Sequence, residues 1–158
     1  MVPAKSDVIE CLKTARDDLV AIAERAGETA WENATYGDDG WNCRQLLYHL
    51  ASTSAPAGFV LAMSKLPAGS GGAAFDGEAF NRQQVEMREG RSVAEALDEI
   101  RANIQRDIQA VEAASDDDLQ RTWTAPWGTE GTVAQIIIDS TNGHLGGHIA
   151  DLRGALGD

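Results

Sequence analysis

The sequence predicts an all-α domain built as a four-helix bundle, and three observations carry that expectation. Apolar residues recur at helical spacing in four long segments, stretches rich in Gly, Asp and Pro separate those segments, and nothing sustains the period-two alternation of a strand. The one β-branched run, Ile136-Ile137-Ile138, lies inside a helical pattern, so no strand pair is expected. Four amphipathic helices without an internal repeat bury their stripes most simply against one another.

Helix one is expected from Asp7 to about Glu28, with Val8, Leu12, Ala15, Leu19, Ile22, Ala23 and Ala26 on its inner face. Gly27 and the segment from Asn33 to Gly40 supply turn residues, so the chain should loop there and re-enter a helix near Asn42. Helix two then runs to about Lys65 with Leu46, Leu47, Leu50, Ala57 and Leu61 inward; Pro56 should kink it or split it in two. A flexible connection follows at Pro67 to Gly72, then a short extra helix from Gly77 to Glu89 that Gly90 ends.

Ser92 and Glu95 are spaced as a capping box, in which hydroxyl and carboxylate satisfy amides left open at a helix start. Helix three follows to about Ala114, striped by Val93, Leu97, Ile100, Ile104, Ile108 and Val111, and Ser115-Asp116-Asp117-Asp118 should end it. Trp123 to Gly131 is expected as an aromatic-bearing loop, and Thr132 with Gln135 offers another capping box opening helix four through about Leu156.

With 158 residues, 43% of them hydrophobic, the chain suits a single domain over 1–158 whose core needs no covalent staple. A net charge of -12 opposes the counterion release that drives nucleic-acid binding, and it disfavours anionic membrane surfaces. No stretch approaches the ~18 uncharged apolar residues of a membrane span, and the first residues lack the apolar run of a signal peptide. A cytoplasmic protein without nucleic-acid or membrane partners is therefore expected. Cys11 and Cys43 have no metal or redox spacing and are read as small buried apolar residues.

The chemistry rests on the histidines. His144 and His148 stand four residues apart on helix four, so their rings share one face. His49 lies about seven residues into helix two and His148 about eight before the end of helix four, so at about 1.5 Å per residue antiparallel helices would bring them level. Three neutral imidazoles form the ligand set of a divalent ion that keeps a position open for water or substrate. Zinc is expected first, and the residues do not separate it from nickel, iron(II) or manganese. Gly143, Gly146 and Gly147 interleave with the pair and lower helix stability, either to admit a ligand or to let another helix cross closely. Asp139, Thr53, Asn142 and Asp151 are candidates to orient the rings, and Trp41, Trp123 and Trp127 to line a substrate mouth. No catalytic residue is assigned.

Trp41-Asn42-Cys43-Arg44-Gln45-Leu46-Leu47-Tyr48-His49-Leu50-Ala51 resembles the start of helix two in the DinB-like superfamily. Asn142-Gly143-His144-Leu145-Gly146-Gly147-His148-Ile149-Ala150-Asp151-Leu152 is similar to that superfamily's last helix, where H-x-x-x-H supplies two ligands. Phe80-Asn81 and Arg91-Ser92 resemble the branch related to the metal-binding domain of mycothiol-dependent maleylpyruvate isomerases, which can carry a glutamate at the position of His144. The resemblance implies an up-down-down-up bundle. It also implies His49, His144 and His148 as metal ligands, and a small-molecule substrate, a low-molecular-weight thiol in that branch. Three functions follow as expectations: a thiol-using transferase or isomerase, a metal-dependent hydrolase, and a non-catalytic metal-binding module. Full isomerases carry a further C-terminal domain that 158 residues leave no room for. The loop after helix two is expected to cover the mouth or to join a homodimer contact.

Overall fold

Helix starts are fixed by side chains that sit where backbone N–H groups would otherwise be orphaned. In the computed structural model, which describes residues 1–35, 40–70 and 76–157, Asn42 and Gln45 satisfy each other's amides at 2.9 and 3.1 Å, and helix α2 (Cys43–Thr53) begins there. Ser92 and Glu95 do the same at 3.1 and 2.7 Å and open a later helix, Val93–Ala113. Before α2 come α1 (Lys5–Arg25) and a single tight turn, Glu28–Glu32. After it come α3 (Pro56–Met63), α4 (Gly77–Glu86), α5 (Val93–Ala113) and α6 (Asp116–Gln120). Strands β1 (Thr122–Thr124) and β2 (Glu130–Thr132) follow, then α7 (Val133–Ser140), one wide turn at Thr141–Leu145, and α8 (Gly146–Leu156).

Long-range bonds give the helix directions. Lys5, at the start of α1, donates to the carbonyls of Glu112 and Ala114 at the end of α5, so α1 and α5 are antiparallel. Tyr48 bonds the Arg91 carbonyl, Asn103 reaches Ala51, Asp107 reaches Ala57, and Lys65 pairs with Asp118, so α2–α3 runs parallel to α5. Contacts of α3 with α7 and of α2 with α8 make the last helix antiparallel to the second. The order is up-down-down-up. Parallel neighbours need a connection as long as the bundle, and the segment carrying α4 packs against α2 on its way back. Val8, Leu12, Leu19, Leu47, Leu50, Ile100, Ile104, Ile136, Ile137 and Leu152 fill the centre. Each such side chain contributes roughly 1.5–3 kcal/mol on burial.

Several sequence expectations change. Pro56 splits helix two outright, at Ser54–Ala55. The missing caps at the break come from α5: Asn103 donates to the Ala51 carbonyl at 2.8 Å, and the Asp107 carboxylate accepts from Ala57 and Gly58 at 2.8 and 2.9 Å. Burial pushes the Asp107 carboxyl above its ordinary range, while the Gly58 and Ala57 amides and then Arg106 oppose the shift. The Ser115–Asp118 run ends α5 but also caps a further helix, α6, because its serine and aspartate form their own box. A hairpin does occur: Trp123 pairs with Gly131 across β1 and β2, with Gly128 at φ +93° in the turn. Three-residue strands are too short for alternation to register in a sequence.

Thr132 caps α7 through the Gln135 amide at 3.2 Å. The expected loop at Asn33–Gly40 and the connection at Pro67–Gly72 lie partly outside the described residues. Cys43 is buried as expected, whereas Cys11 is only half-buried and donates to Asn142 at 3.4 Å. The stretch Cys43–Met63 is longer and more apolar than the sequence reading allowed, with a mean hydropathy of 1.2 that by itself fits a membrane-crossing helix. It is broken at Ser54, and 56% of its apolar window is buried within the bundle.

Candidate metal centre

The capping of α2 at Asn42 sets the register that turns His49 inward, where it is 3% exposed among Leu46, Leu50 and Ala51. His144 lies in the wide turn and His148 one helical turn further, near the start of α8. The three imidazoles converge. Ring centroids are 5.2 Å apart for His49–His144 and His49–His148 and 4.8 Å for His144–His148, and one nitrogen from each lies within 4.8 Å of the others. The depth argument therefore holds.

The wide turn is a π-type bulge, with the Gly146 amide bonded to the Thr141 carbonyl five residues back, and the Thr141 hydroxyl bonds the Ile137 carbonyl at 2.8 Å. Such bulges recur at functional sites because the extra residue re-aims the side chains after it. The glycines next to it are not explained by a close helix crossing. A Cβ added at Gly143 or Gly147 would meet nothing within 4 Å, and at Gly146 only the Thr141 carbonyl at 3.8 Å. Gly143 and Gly147 are exposed, so a side chain there would have room.

Desolvation, then the charges of His144 and His148, lower the His49 pKa to about 4, and desolvation followed by His148 lowers that of His144. Both rings are therefore neutral at pH 7 and have lone pairs to give. Among the described residues the buried His49 Nδ1 has no hydrogen-bond partner, which is costly unless something accepts or supplies charge there. A divalent cation suits that donor set, and three uncharged nitrogens leave it its full charge.

Of the four orienting candidates, two reach a ring. Thr53 Oγ1 is 3.0 Å from His144 Nε2, and Asp151 Oδ2 is 3.4 Å from His148 Nδ1. Asp139 instead accepts from Gln135, and Asn142 from Cys11. Trp41 packs on His49 at 5.2 Å between centroids, whereas Trp123 and Trp127 contact each other, with Phe59 of α3 stacked on Trp127. Asn103 and Asp107 escaped the sequence reading, although the signal was there: both fall three residues after an apolar position on the stripe of α5.

A helical bundle in which a buried imidazole of one helix meets a half-buried and an exposed imidazole of an antiparallel one defines a class of metal-binding protein, and the three-histidine cluster supports binding of a divalent ion. The chain belongs to the DinB superfamily, whose family model matches residues 12–152. Among solved structures it is similar to a mycothiol-dependent maleylpyruvate isomerase, with 9% identity, a TM-score of 0.72, and coverage of 95% of this chain and 61% of that one. It therefore spans less than two thirds of the isomerase's length. It is also similar to YfiT from Bacillus subtilis, described as a probable metal-dependent hydrolase with an unusual four-helix bundle topology. There the identity is 18% and the TM-score 0.70, over 97% of this chain and 87% of that one. At these identities the likeness establishes the fold. No curated protein matches the chain significantly.

Proposed function

We propose that the chain is a single-domain, cytoplasmic, metal-dependent enzyme in which His49, His144 and His148 hold one divalent ion, zinc in the first instance. It would use a low-molecular-weight thiol in a transfer or isomerisation. The observation that carries this reading is the convergence of three imidazoles, one of which, His49, keeps a buried nitrogen without a partner among the described residues. A bound ion of this kind supplies Lewis acidity, bringing a thiol or water to its reactive anion near neutral pH.

The chain's own residues do the rest. His49 anchors the centre from the core, Thr53 and Asp151 hold the outer rings, and Trp41 packs its ring against His49. The open space at Gly143 and Gly147 is where a substrate would approach.

Hydrolysis is the second reading, supported by the description of YfiT and by the larger share of that protein's length the chain covers. The same centre would then serve an ester or amide. Elemental analysis of untagged protein should find about one equivalent of metal, falling below a tenth in His49→Ala. Turnover of electrophiles with added thiol, compared with ester hydrolysis without it, separates the two chemistries. Neither activity rising above the His49→Ala background would reject catalysis.

A further inference from the structure

The Thr53 hydroxyl has a single proton, and the position of its neighbours decides where that proton goes. Thr53 ends α2, and its Oγ1 lies 3.0 Å from the carbonyl of His49, four residues back. A carbonyl can only accept, and with two lone pairs it takes the Thr53 hydroxyl beside that of Ser52, which donates to it at 2.8 Å. The same oxygen lies 3.0 Å from His144 Nε2 and has only lone pairs left to offer there. His144 Nε2 must then carry the hydrogen. At His148 the logic is the mirror image: Asp151 Oδ2 faces Nδ1 at 3.4 Å, a carboxylate can only accept, and the lone pair is left on Nε2.

We infer that Thr53 is a positioning residue that fixes His144 as its Nε2–H tautomer, so that His144 presents Nδ1 to an ion while His148 presents Nε2. The inference rests on the metal-binding reading above only for its second half; the tautomer belongs to the metal-free protein. The interruption of helix two ends α2 at Thr53, and this residue's hydroxyl joins the first histidine's backbone to the second histidine's ring. An isosteric valine would remove the acceptor while keeping the shape, and a serine would keep the acceptor.

Long-range proton–nitrogen correlation spectra of isotope-labelled, metal-free protein read each ring's tautomer directly. The expected result is His144 protonated at Nε2 and His148 at Nδ1 in the wild type and in Thr53→Ser, with His144 becoming a mixture in Thr53→Val. A wild-type His144 protonated at Nδ1, or a Thr53→Val spectrum identical to wild type, would overturn the inference. Cadmium added as the probe should then couple to His144 Nδ1, and its affinity should fall about tenfold in Thr53→Val and stay unchanged in Thr53→Ser. Coupling to His144 Nε2 would equally overturn it. A protein that takes up no cadmium would defeat the proposed function, whereas the metal-free spectra decide the tautomer on their own.

Discussion

Two helices of this bundle are interrupted, and the two interruptions are finished in opposite ways. Between α2 and α3 the Ala51 carbonyl and the Ala57 and Gly58 amides find partners on α5, through Asn103 and Asp107. Between α7 and α8 the wide turn carries His144 and sets exposed glycines on either side of it, and the ring that meets it from α2, His49, has a buried nitrogen without a partner among the described residues. Bundles tolerate irregular helices when their polar groups are satisfied internally, so the first break reads as architecture. Beside the second, one buried polar atom, His49 Nδ1 of α2, is left unsatisfied among the described residues, which a stable fold avoids unless a ligand completes it. Polar satisfaction, more than irregularity itself, separates scaffold from site.

The largest expected effect falls on the satisfied break. Asp107→Ala strips the acceptors from one buried and one half-buried amide, and about 3 kcal/mol of stability should go with them, a fall of roughly 6–12 °C in Tm. Asp107→Asn should recover part of that, since its amide oxygen still accepts. A melting curve unchanged in the alanine variant would show that the break is not held by α5.

Metal should act on the other region alone. Zinc at about a hundredfold excess over its Kd would raise the wild-type stability by about 2.7 kcal/mol, and chelator should reverse the shift without unfolding the protein. His49→Ala should abolish the shift while keeping the fold. If chelator melts the wild type, the ion is part of the scaffold and the contrast between the two regions disappears.

A smaller effect separates the uses of the glycines. Gly147→Ala should stabilise the metal-free protein by up to about 1 kcal/mol, because the helix gains propensity and the new methyl meets nothing within 4 Å. A gain in Tm accompanied by weaker substrate binding would mark the space as an approach route. A loss in Tm would mean that the open space at this position is not what the structure shows.

The last prediction is the gentlest. The His49 pKa is lowered to about 4 from an ordinary 6.5, so the unfolded chain binds more protons than the folded one between those values. The stability of the metal-free protein should therefore be fully present above pH 6.5 and decline as pH falls toward about 4. Denaturant titrations across that window should show a shallower slope in His49→Ala. A slope identical to that of the wild type would place the titrating group elsewhere.

Much of this was written locally along the chain. Helical spacing marked all four long helices, Ser92 and Glu95 announced the start of α5, and His144 and His148 declared a shared face, because each depends on residues within a few positions of one another. Pro56 announced a disturbance without saying which kind. The partners that complete it, Asn103 and Asp107, lie about fifty residues away, and no local rule connects them. The short hairpin and α6 were too brief for periodicity to register.

What only the tertiary structure decided is how groups from separate helices meet. It brings His49 level with the final helix, sets Thr53 against His144 and Asp151 against His148, and leaves His49 Nδ1 without a partner in the core. The sequence by itself determined which residues could serve as ligands and which segments would be helices, since ligand chemistry and helix propensity belong to single residues and their near neighbours. Distances between imidazoles belong to the packing of two helices, and the parallel run of α2–α3 beside α5 required a long connection that returns the chain along the whole bundle.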